Sequence, residues 1–188
     1  MASEALRDKV IVVGVTGGIA AYKSAQLVST LRKAGVEVYV LMSPSASNFI
    51  GPLTLRTLSQ HPVITDMWDP GNPWEEPHVY LGERADVYVI APATAHTIAR
   101  LALGLADDVI TATALATRAP VLIAPAMSDV MYAQPTVQEH LRALRSRGYR
   151  IVGPVVGWLA SGKEAIGRMA EPDAIVEEII AALQERRA

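Results

Sequence analysis

The segment Val10-Ile-Val-Val-Gly14-Val-Thr16-Gly-Gly-Ile-Ala20 is the most informative about the fold, because it joins a short β-branched run to a glycine-rich turn. A segment of helical apolar spacing, residues 20–34, follows at once. Glycines in such a turn let a ligand approach the backbone, and the free N–H groups of a helix start attract anions. The same turn also serves as a plain strand-to-helix connection. The stretch therefore predicts a β–α unit and leaves anion binding open.

The alternation of strand and helix continues along the chain. The predicted strands are short, nearly continuous apolar runs at residues 10–15, 36–42, 87–91, 121–124 and 150–152. The predicted helices cover residues 20–34, 52–58, 95–103, 107–116, 134–147 and 172–184. Continuous apolar strands are typical of parallel sheets that are buried on both faces. We therefore predict an α/β fold, a three-layer sandwich with a central parallel sheet between two layers of helices.

Composition excludes several classes of protein. The 188 residues are 51% hydrophobic and 19% charged, which excludes intrinsic disorder and predicts a single domain over residues 1–188 with a tail at 1–8. The net charge of -2 argues against a nucleic-acid partner, and the absence of cysteine excludes disulfides and thiolate metal sites. No metal-ligand spacing occurs either, so we expect no metal. The polar N-terminus and the short apolar runs predict a cytoplasmic protein without membrane contact.

Four predicted strands end in small or polar residues rather than bulky ones. These strand ends are residues 14–20, 42–48, 91–96 and 124–129. Because the carboxyl ends of parallel strands meet at one edge of the sheet, they predict a shelf lined by backbone, which suits a planar phosphorylated cofactor. The serine hydroxyls of residues 42–48 either hold a phosphate or cap the next helix.

Two segments interrupt the alternation and draw attention to a histidine. Residues 69–78 contain three prolines and predict a loop, and the glycine-containing segment 155–168 is either a functional loop or a mobile connection. His78 follows the proline-rich loop, where a short helix or strand starts. Its imidazole is either structural or able to transfer a proton near neutral pH.

Six motifs in this order carry a resemblance to a known family. They are Thr16-Gly-Gly-Ile-Ala-Ala-Tyr-Lys23, Pro52-Leu-Thr-Leu55, Ala91-Pro-Ala-Thr-Ala95, Ala106-Asp-Asp108, Ala124-Pro-Ala-Met127 and Gly167-Arg-Met-Ala-Glu-Pro172. With them the sequence resembles the flavin-dependent cysteine decarboxylase superfamily. Within it the sequence is most similar to the phosphopantothenoylcysteine decarboxylases, the decarboxylase half of the bifunctional coenzyme A biosynthesis flavoprotein.

The resemblance implies a fold, an assembly and a cofactor site. The fold would be Rossmann-like (flavodoxin-like), and the protein would form a homotrimer or homododecamer with FMN at a subunit contact. The residues that match the family's FMN site are Gly17, Gly18, Ile19, Ser43, Phe49, Thr94 and Met127. In this family the flavin oxidises the substrate cysteine to a thioaldehyde, after which carbon dioxide leaves. His78 falls on the family's active-site histidine, and residues 155–168 on its mobile substrate loop.

Two residues depart from the family pattern in the part that meets the substrate. Ser128 stands where the family has an asparagine that holds the substrate carboxylate, and Ser161 where it has a cysteine that serves reduction of the enethiolate. A serine hydroxyl has a far higher pKa than a thiol and is a poor substitute as a proton donor. We predict Ser128 and Ser161 as catalytic residues beside His78, and Ser128, Met131 and Lys163 as substrate-binding residues.

The resemblance leads to one leading function and two alternatives. The leading function is an FMN-dependent carboxy-lyase that converts 4'-phosphopantothenoylcysteine to 4'-phosphopantetheine. The first alternative is oxidative decarboxylation of a peptide's C-terminal cysteine to an aminoenethiol, which Ser161 favours and Ser128 does not. The second is a flavin-binding protein with little or no decarboxylase activity, because both catalytic side chains differ from the family's.

Overall fold

The structure is a computed structural model that describes residues 2–186. Its main sheet contains β1 (Val10–Val15), β2 (Glu37–Met42), β3 (Val63–Ile64), β4 (Val87–Ala93), β5 (Val121–Pro125) and β6 (Arg150–Ile151). Two further strands, β7 (Val155–Trp158) and β8 (Glu164–Arg168), form an antiparallel hairpin. The helices are α1 (Ala2–Leu6), α2 (Ala21–Lys33), α3 (Pro52–Ser59), α4 (Pro77–Arg84), α5 (Ala95–Leu103), α6 (Val109–Ala116), α7 (Asp129–Ala133), α8 (Pro135–Ser146) and α9 (Pro172–Glu185). A short 3-10 helix, Pro44–Asn48, follows β2.

The order of the strands determines where a crevice forms at the edge of the sheet. The six main strands pair in parallel in the order β3-β2-β1-β4-β5-β6. This is the doubly wound Rossmann order, and it differs from the 2-1-3-4-5 order of flavodoxin. The chain reverses its direction of travel across the sheet between β1 and β4, so the connections after these two strands diverge and leave a crevice at their carboxyl ends.

Two apolar cores lie on opposite faces of the sheet, because successive strand residues point to opposite sides. Val13 of β1 belongs to the core under α2, α3 and α9, together with Leu27 and Ile179. Val12 belongs to the other core, under α4, α5, α6 and α8, together with Ile98. The α/β fold with three layers that we predicted from the strand and helix pattern is thus confirmed.

The structure differs from the predicted elements mainly in short or exposed segments. The predicted tail at residues 1–8 contains α1, whose Leu6 is buried, while Met1 lies outside the described residues. A helix of five residues is too short to show a period in the sequence. The segment 155–168 folds as the β7–β8 hairpin, whereas its mobility stays a prediction. Within residues 2–186, none of the helices is both long and apolar enough to cross a bilayer.

Candidate functional site

A cavity of about 630 Å3 opens at the carboxyl edge of the sheet, beside the divergence of β1 and β4. One wall consists of the turn after β1 (residues 17–20), the start of α5 (94 and 95) and the turn after β5 (126–128). The facing wall belongs to the hairpin, with residues 158–161 and 167–169. The volume falls in the range of small-molecule and cofactor sites.

The charged side chains that line the cavity are both cationic. Lys23 and Arg168 line it, and among the described lining residues none is an aspartate or a glutamate. Apolar side chains supply most of the remaining surface, and Ile19 and Trp158 are left 62% and 69% exposed at its rim. An aromatic ligand matches this apolar rim, whereas Lys23 and Arg168 are both paired with the carboxylate of Glu171.

The turn after β1 approaches the next strand end too closely for a side chain. A Cβ at Gly17 would lie 2.3 Å from Oγ of Ser45 and 2.9 Å from the carbonyl carbon of Ser45. Ser43 is nearly buried, and its hydroxyl lies 3.1 Å from the hydroxyl of Ser45. Ser43 begins the 3-10 helix without a side-chain capping bond, so the capping alternative is not observed for it. Its hydroxyl is therefore available to a phosphate near Gly17.

A buried threonine joins the ends of β1 and β4. The hydroxyl of Thr16 donates to the carbonyl of Pro92 at 2.7 Å and accepts the N–H of Thr94 at 3.0 Å. Thr94 in turn caps α5, since its own hydroxyl accepts the N–H of Thr97. These bonds fix the shelf on which Gly18 and Thr94 face the cavity.

The turn after β5 carries the residues that we predicted for the substrate. The hydroxyl of Ser128 accepts the N–H of Met131 at 3.3 Å and so caps α7. That bond uses a lone pair of the hydroxyl and leaves its proton available as a donor. Met131 is half-exposed beside it. Ser128 and Met131 both line the cavity opposite Ser161 of the hairpin.

A buried lysine belongs to the lining of the cavity. Lys23 is only 4% exposed, and its ammonium donates to the carbonyl of Met169 at 3.2 Å and to Oε1 of Glu171 at 2.9 Å. Arg168 pairs with the same carboxylate oxygen at 2.7 Å. The hydrogen bond from Lys23 and the positive charges of Lys23 and Arg168 hold the pKa of Glu171 below its ordinary value of 4.5. This network ties α2 to the chain that follows the hairpin.

The structure brings most of the predicted site residues together. Those that line the cavity are Gly17, Gly18, Ile19, Thr94, Met127, Ser128, Met131 and Ser161. The others lie outside the lining of the single chain: Ser43 beside the first turn, Phe49 exposed at the end of the 3-10 helix, Lys163 in the hairpin turn and His78 in α4. Their roles stay predictions.

His78 is the second residue of α4, so a helix does start there as the sequence indicated. Its ring is half-buried, and its Nδ1 is buried without a hydrogen-bond partner among residues 2–186. A buried ring nitrogen without a partner is uncommon and calls for a donor or acceptor from outside the chain. His96, the other histidine at a strand end, is exposed in α5.

Sequence reasoning assigned no role to several side chains of the cavity, among them Lys23, Tyr22 and Trp158. A signal for Lys23 was present, because it shares the apolar face of α2 with Leu27 and Leu31 at spacings of four residues. A lysine in a row of core positions is buried only where it finds a partner. No comparable signal marks Trp158, which lies in an exposed strand.

Comparison with known protein families gives one match over nearly the whole chain. The family model described as Flavoprotein matches residues 1–184. Among curated proteins, the coenzyme A biosynthesis bifunctional protein CoaBC of Haemophilus influenzae is 45% identical over 180 residues, which is 96% of this chain and 44% of that protein. The CoaBC of Bacillus subtilis is 44% identical over 92% of this chain and 42% of its own length. The chain thus spans under half the length of the curated relatives it matches.

Solved structures with the same fold match over their full length. The FMN-dependent cysteine decarboxylase SpaF superposes with a TM-score of 0.83 at 35% identity, and the match covers 97% of this chain and 99% of SpaF. A cysteine-to-serine variant of PPC decarboxylase, in complex with pantothenoylaminoethenethiol, also gives a TM-score of 0.83, at 30% identity over 95% of this chain and all of that chain.

Proposed function

The chain belongs to the Flavoprotein family, and from this we propose that it is an FMN-dependent decarboxylase of 4'-phosphopantothenoylcysteine that yields 4'-phosphopantetheine for coenzyme A synthesis, in the cytoplasm. One observation carries the proposal. The cavity at the sheet edge joins a cofactor shelf with Ser128 and Ser161 in one continuous space. Relatives named for coenzyme A biosynthesis support the choice of substrate.

The residues of the shelf fit FMN. Gly17 leaves a space that a Cβ would fill, and the hydroxyls of Ser43 and Ser45 next to it are suited to a phosphate. Gly18, Ile19, Thr94 and Met127 offer backbone and apolar surface to the flat ring system, and Phe49 belongs to the same proposed site. When bound, FMN supplies the two-electron oxidation that converts the thiol of the substrate cysteine to a thioaldehyde and so allows decarboxylation.

Residues of the chain itself bind the substrate and donate a hydrogen bond to its carboxylate. The hydroxyl proton of Ser128 is free to donate to the carboxylate of the substrate, and Met131 packs against its apolar part. A serine offers one donor where an amide offers two, so we expect this carboxylate to be held more weakly than by an asparagine. The ammonium of Lys163 is paired with Asp129, and its contribution to substrate binding is therefore indirect.

We assign the proton transfer to His78, contributed by a second copy of the chain. Two features support a shared site: His78 does not line the cavity of its own chain, and Ile19, Tyr22, Met131 and Trp158 leave a large apolar rim exposed. Exposed apolar surface of this kind is typical of subunit contacts. A homotrimer, alone or assembled into a homododecamer, places cofactor, rim and histidine in one closed pocket.

A second candidate function is favoured by Ser161. It lines the cavity at the position where the family's cysteine serves reduction of the enethiolate, and a hydroxyl is a weak proton donor there. The cysteine-to-serine variant of PPC decarboxylase holds an enethiol, pantothenoylaminoethenethiol. We expect a chain that carries Ser161 to retain an enethiol in the same way. Under this alternative the enzyme releases an aminoenethiol from a peptide that ends in cysteine.

Anaerobic mixing separates these functions. We expect a yellow protein that releases carbon dioxide from 4'-phosphopantothenoylcysteine over many turnovers with its flavin oxidised at the end. One equivalent of carbon dioxide, a bleached flavin and an accumulated enethiol would instead support the second candidate. If neither this substrate nor a peptide ending in cysteine releases carbon dioxide, both decarboxylase functions are wrong and a flavin-binding role remains. A colourless protein without affinity for added FMN contradicts all three.

Replacement of Ser161 tests whether protonation of the enethiolate limits turnover. In Ser161→Cys, we expect complete turnover to become faster because a thiol protonates the enethiolate more readily than a hydroxyl. Ser146→Cys, a replacement at an exposed position of α8, is the matched control and leaves turnover unchanged. Equal rates in the wild type and in Ser161→Cys would show that another group already delivers this proton.

A further inference from the structure

An ion pair connects the two walls of the cavity. Lys163 lies in the turn between β7 and β8, and its ammonium donates to Oδ2 of Asp129 at 2.7 Å. Asp129 is the first residue of α7 and follows Ser128 directly. The two partners are 34 positions apart in sequence. They belong to the same two segments that contribute Ser161 and Ser128 to opposite sides of the cavity.

Apart from the packing of Leu159, which is 7% exposed, the tip of the hairpin has one polar side-chain contact with the rest of the described chain. Its own turn is closed by local bonds, from the N–H of Leu159 to the carbonyl of Lys163 and from the N–H of Gly162 to the carbonyl of Leu159. Between residues 160 and 164, the pair with Asp129 is the one polar side-chain contact to a distant part of the described chain. Two-stranded hairpins are marginally stable by themselves, so a single contact at the tip matters to its position.

The base of the hairpin is fixed by separate contacts. The carbonyl of Gly167 accepts the N–H of Met127 at 3.0 Å, and Arg168 pairs with Glu171. Loss of the pair therefore loosens the tip and leaves the contacts of the base intact. This difference provides an internal reference for any measurement of hairpin motion.

The pair also balances charge next to the proposed substrate position. Asp129 would present a carboxylate beside Ser128, where a second carboxylate, that of the substrate, is expected to bind. The carboxylates of Asp129 and of the substrate would repel each other, and the ammonium of Lys163 cancels most of this repulsion. The hydrogen bond from Lys163 is also the main reason why the pKa of Asp129 lies below its ordinary value of 3.8, so its carboxylate is charged at neutral pH.

We propose that Lys163 and Asp129 are positioning residues, which together close the hairpin tip over the cavity and neutralise the carboxylate beside Ser128. Neither residue touches the reacting atoms; they act through the placement of Ser161 and Trp158. The closure is a property of the hairpin, and only the effect on the substrate rests on the proposed function.

Hydrogen exchange of the FMN-loaded protein without substrate tests the closure. The variants are Lys163→Gln, Asp129→Asn and the double variant, with Glu164→Gln as the matched control because Glu164 is an exposed charge of the same hairpin. We expect amides of residues 157–165 to exchange about two- to fivefold faster in both single variants, the range for an exposed ion pair. The double variant should be no faster than either single variant, and Glu164→Gln should equal the wild type. The amide of Met127 should stay protected in all four.

Three results would contradict the proposal that the pair of Lys163 and Asp129 holds the hairpin tip closed. They are unchanged exchange of residues 157–165 in Lys163→Gln, additive effects in the double variant, or an equal effect of Glu164→Gln. If Met127 loses protection together with the tip, the hairpin moves as one body and the proposed division into tip and base is wrong. These outcomes do not depend on any catalytic activity, so they remain decisive even if the protein does not decarboxylate a cysteine.

Steady-state kinetics tests the charge balance. Lys163→Gln leaves the carboxylate of Asp129 uncompensated, whereas Asp129→Asn removes it. We therefore expect KM for 4'-phosphopantothenoylcysteine to rise about two- to fivefold more in Lys163→Gln than in Asp129→Asn, and the double variant to resemble Asp129→Asn. The kcat values should change less than KM. Equal KM values in the two single variants would contradict a role of the pair in charge balance.

Discussion

Met127 donates its backbone N–H to the carbonyl of Gly167 across 3.0 Å, and at this point the two backbones leave no space for a side chain. A Cβ on Gly167 would lie 2.3 Å from the carbonyl oxygen of Met127, and the φ angle of Gly167 is +136°, which side-chain-bearing residues rarely adopt. The contact fixes β8 to the turn after β5. Both walls of the cavity are thereby joined at one rigid position.

Gly167→Ala should separate the hairpin from that turn while the main sheet stays folded. The new Cβ collides with backbone, and the unfavourable φ adds about 1–3 kcal/mol of strain. We expect a lower free energy of unfolding in urea, weaker retention of FMN and faster proteolysis within residues 155–168. Gly162→Ala is the control, because Gly162 also has a positive φ but nothing within 4 Å of its Cβ position. Equal loss of flavin in both variants would show that strain alone, and not the collision, is responsible.

Gly17→Ala should weaken FMN binding. Its Cβ would occupy the space in front of Ser45 and push that serine away from the proposed phosphate position. We expect the dissociation constant for FMN to rise about tenfold, which corresponds to about 1.4 kcal/mol. Quenching of flavin fluorescence by apoprotein measures it. Gly51→Ala, at a position with open space around the Cβ, should bind FMN like the wild type; an unchanged constant in Gly17→Ala would remove this turn from the cofactor site.

His78→Asn should abolish turnover and leave FMN bound. Loss of a proton-transferring group costs typically 10^2- to 10^4-fold in rate. We expect the flavin spectrum and the oligomer size to match those of the wild type, since asparagine keeps a polar group near the position of the unpartnered Nδ1. His140→Asn in α8 is the control and should keep full activity. Wild-type turnover in His78→Asn would exclude His78 from the mechanism.

Mixed oligomers test whether the site is shared between subunits. His78→Asn keeps its cofactor shelf, and Gly17→Ala keeps its histidine. If each pocket takes its histidine from a neighbouring copy, subunit exchange between the two variants, assayed at an FMN concentration too low to load Gly17→Ala, should restore a fraction of wild-type activity. Activity that stays at the level of the separate variants, after mass spectrometry has confirmed subunit exchange, would place His78 and FMN of one pocket on the same chain.

Glu171 should make stability depend on pH in acid. Its pKa is lowered by Lys23 and Arg168, so the pairing stabilises the folded state above the ordinary value of 4.5 and is lost as pH falls through the lowered pKa. The free energy of unfolding of the wild type should exceed that of Glu171→Gln by about 1 kcal/mol or less at neutral pH, because the carboxylate is half-exposed and screened. This difference should vanish in strong acid. A difference that persists there, or an equal effect of Glu164→Gln, would contradict the assignment.

Local patterns in the sequence were sufficient for most of the fold. Strands β1 and β5 are continuous apolar runs, and α5 begins and ends at the predicted residues. The pattern did not reveal α7, which has five residues, or the β7–β8 hairpin, whose strands lack alternation because both faces are largely exposed. Such segments bury too little apolar surface for their apolar residues to recur at a regular spacing.

The site was predictable to the extent that strand ends and family motifs specify it. The small residues after β1, β4 and β5 do form one shelf, since carboxyl ends of parallel strands share an edge. By contrast, the resemblance assigned His78 to the active site, yet the single chain holds it apart from the cavity. The proposal that a neighbouring subunit supplies it concerns the assembly, about which a single sequence carries no direct signal.

The alternation of strands and helices, the small residues at the strand ends and the presence of Ser128 and Ser161 could all be read from the amino-acid order. The pairs of distant residues that meet could be seen only in the folded chain: Lys163 with Asp129, 34 positions away, and Lys23 with Glu171, 148 positions away. Secondary structure follows from the preferences of neighbouring residues, which are written along the chain. Contacts between distant charges depend on how the packed layers bring separate segments together. No local sequence pattern indicates which segments will meet.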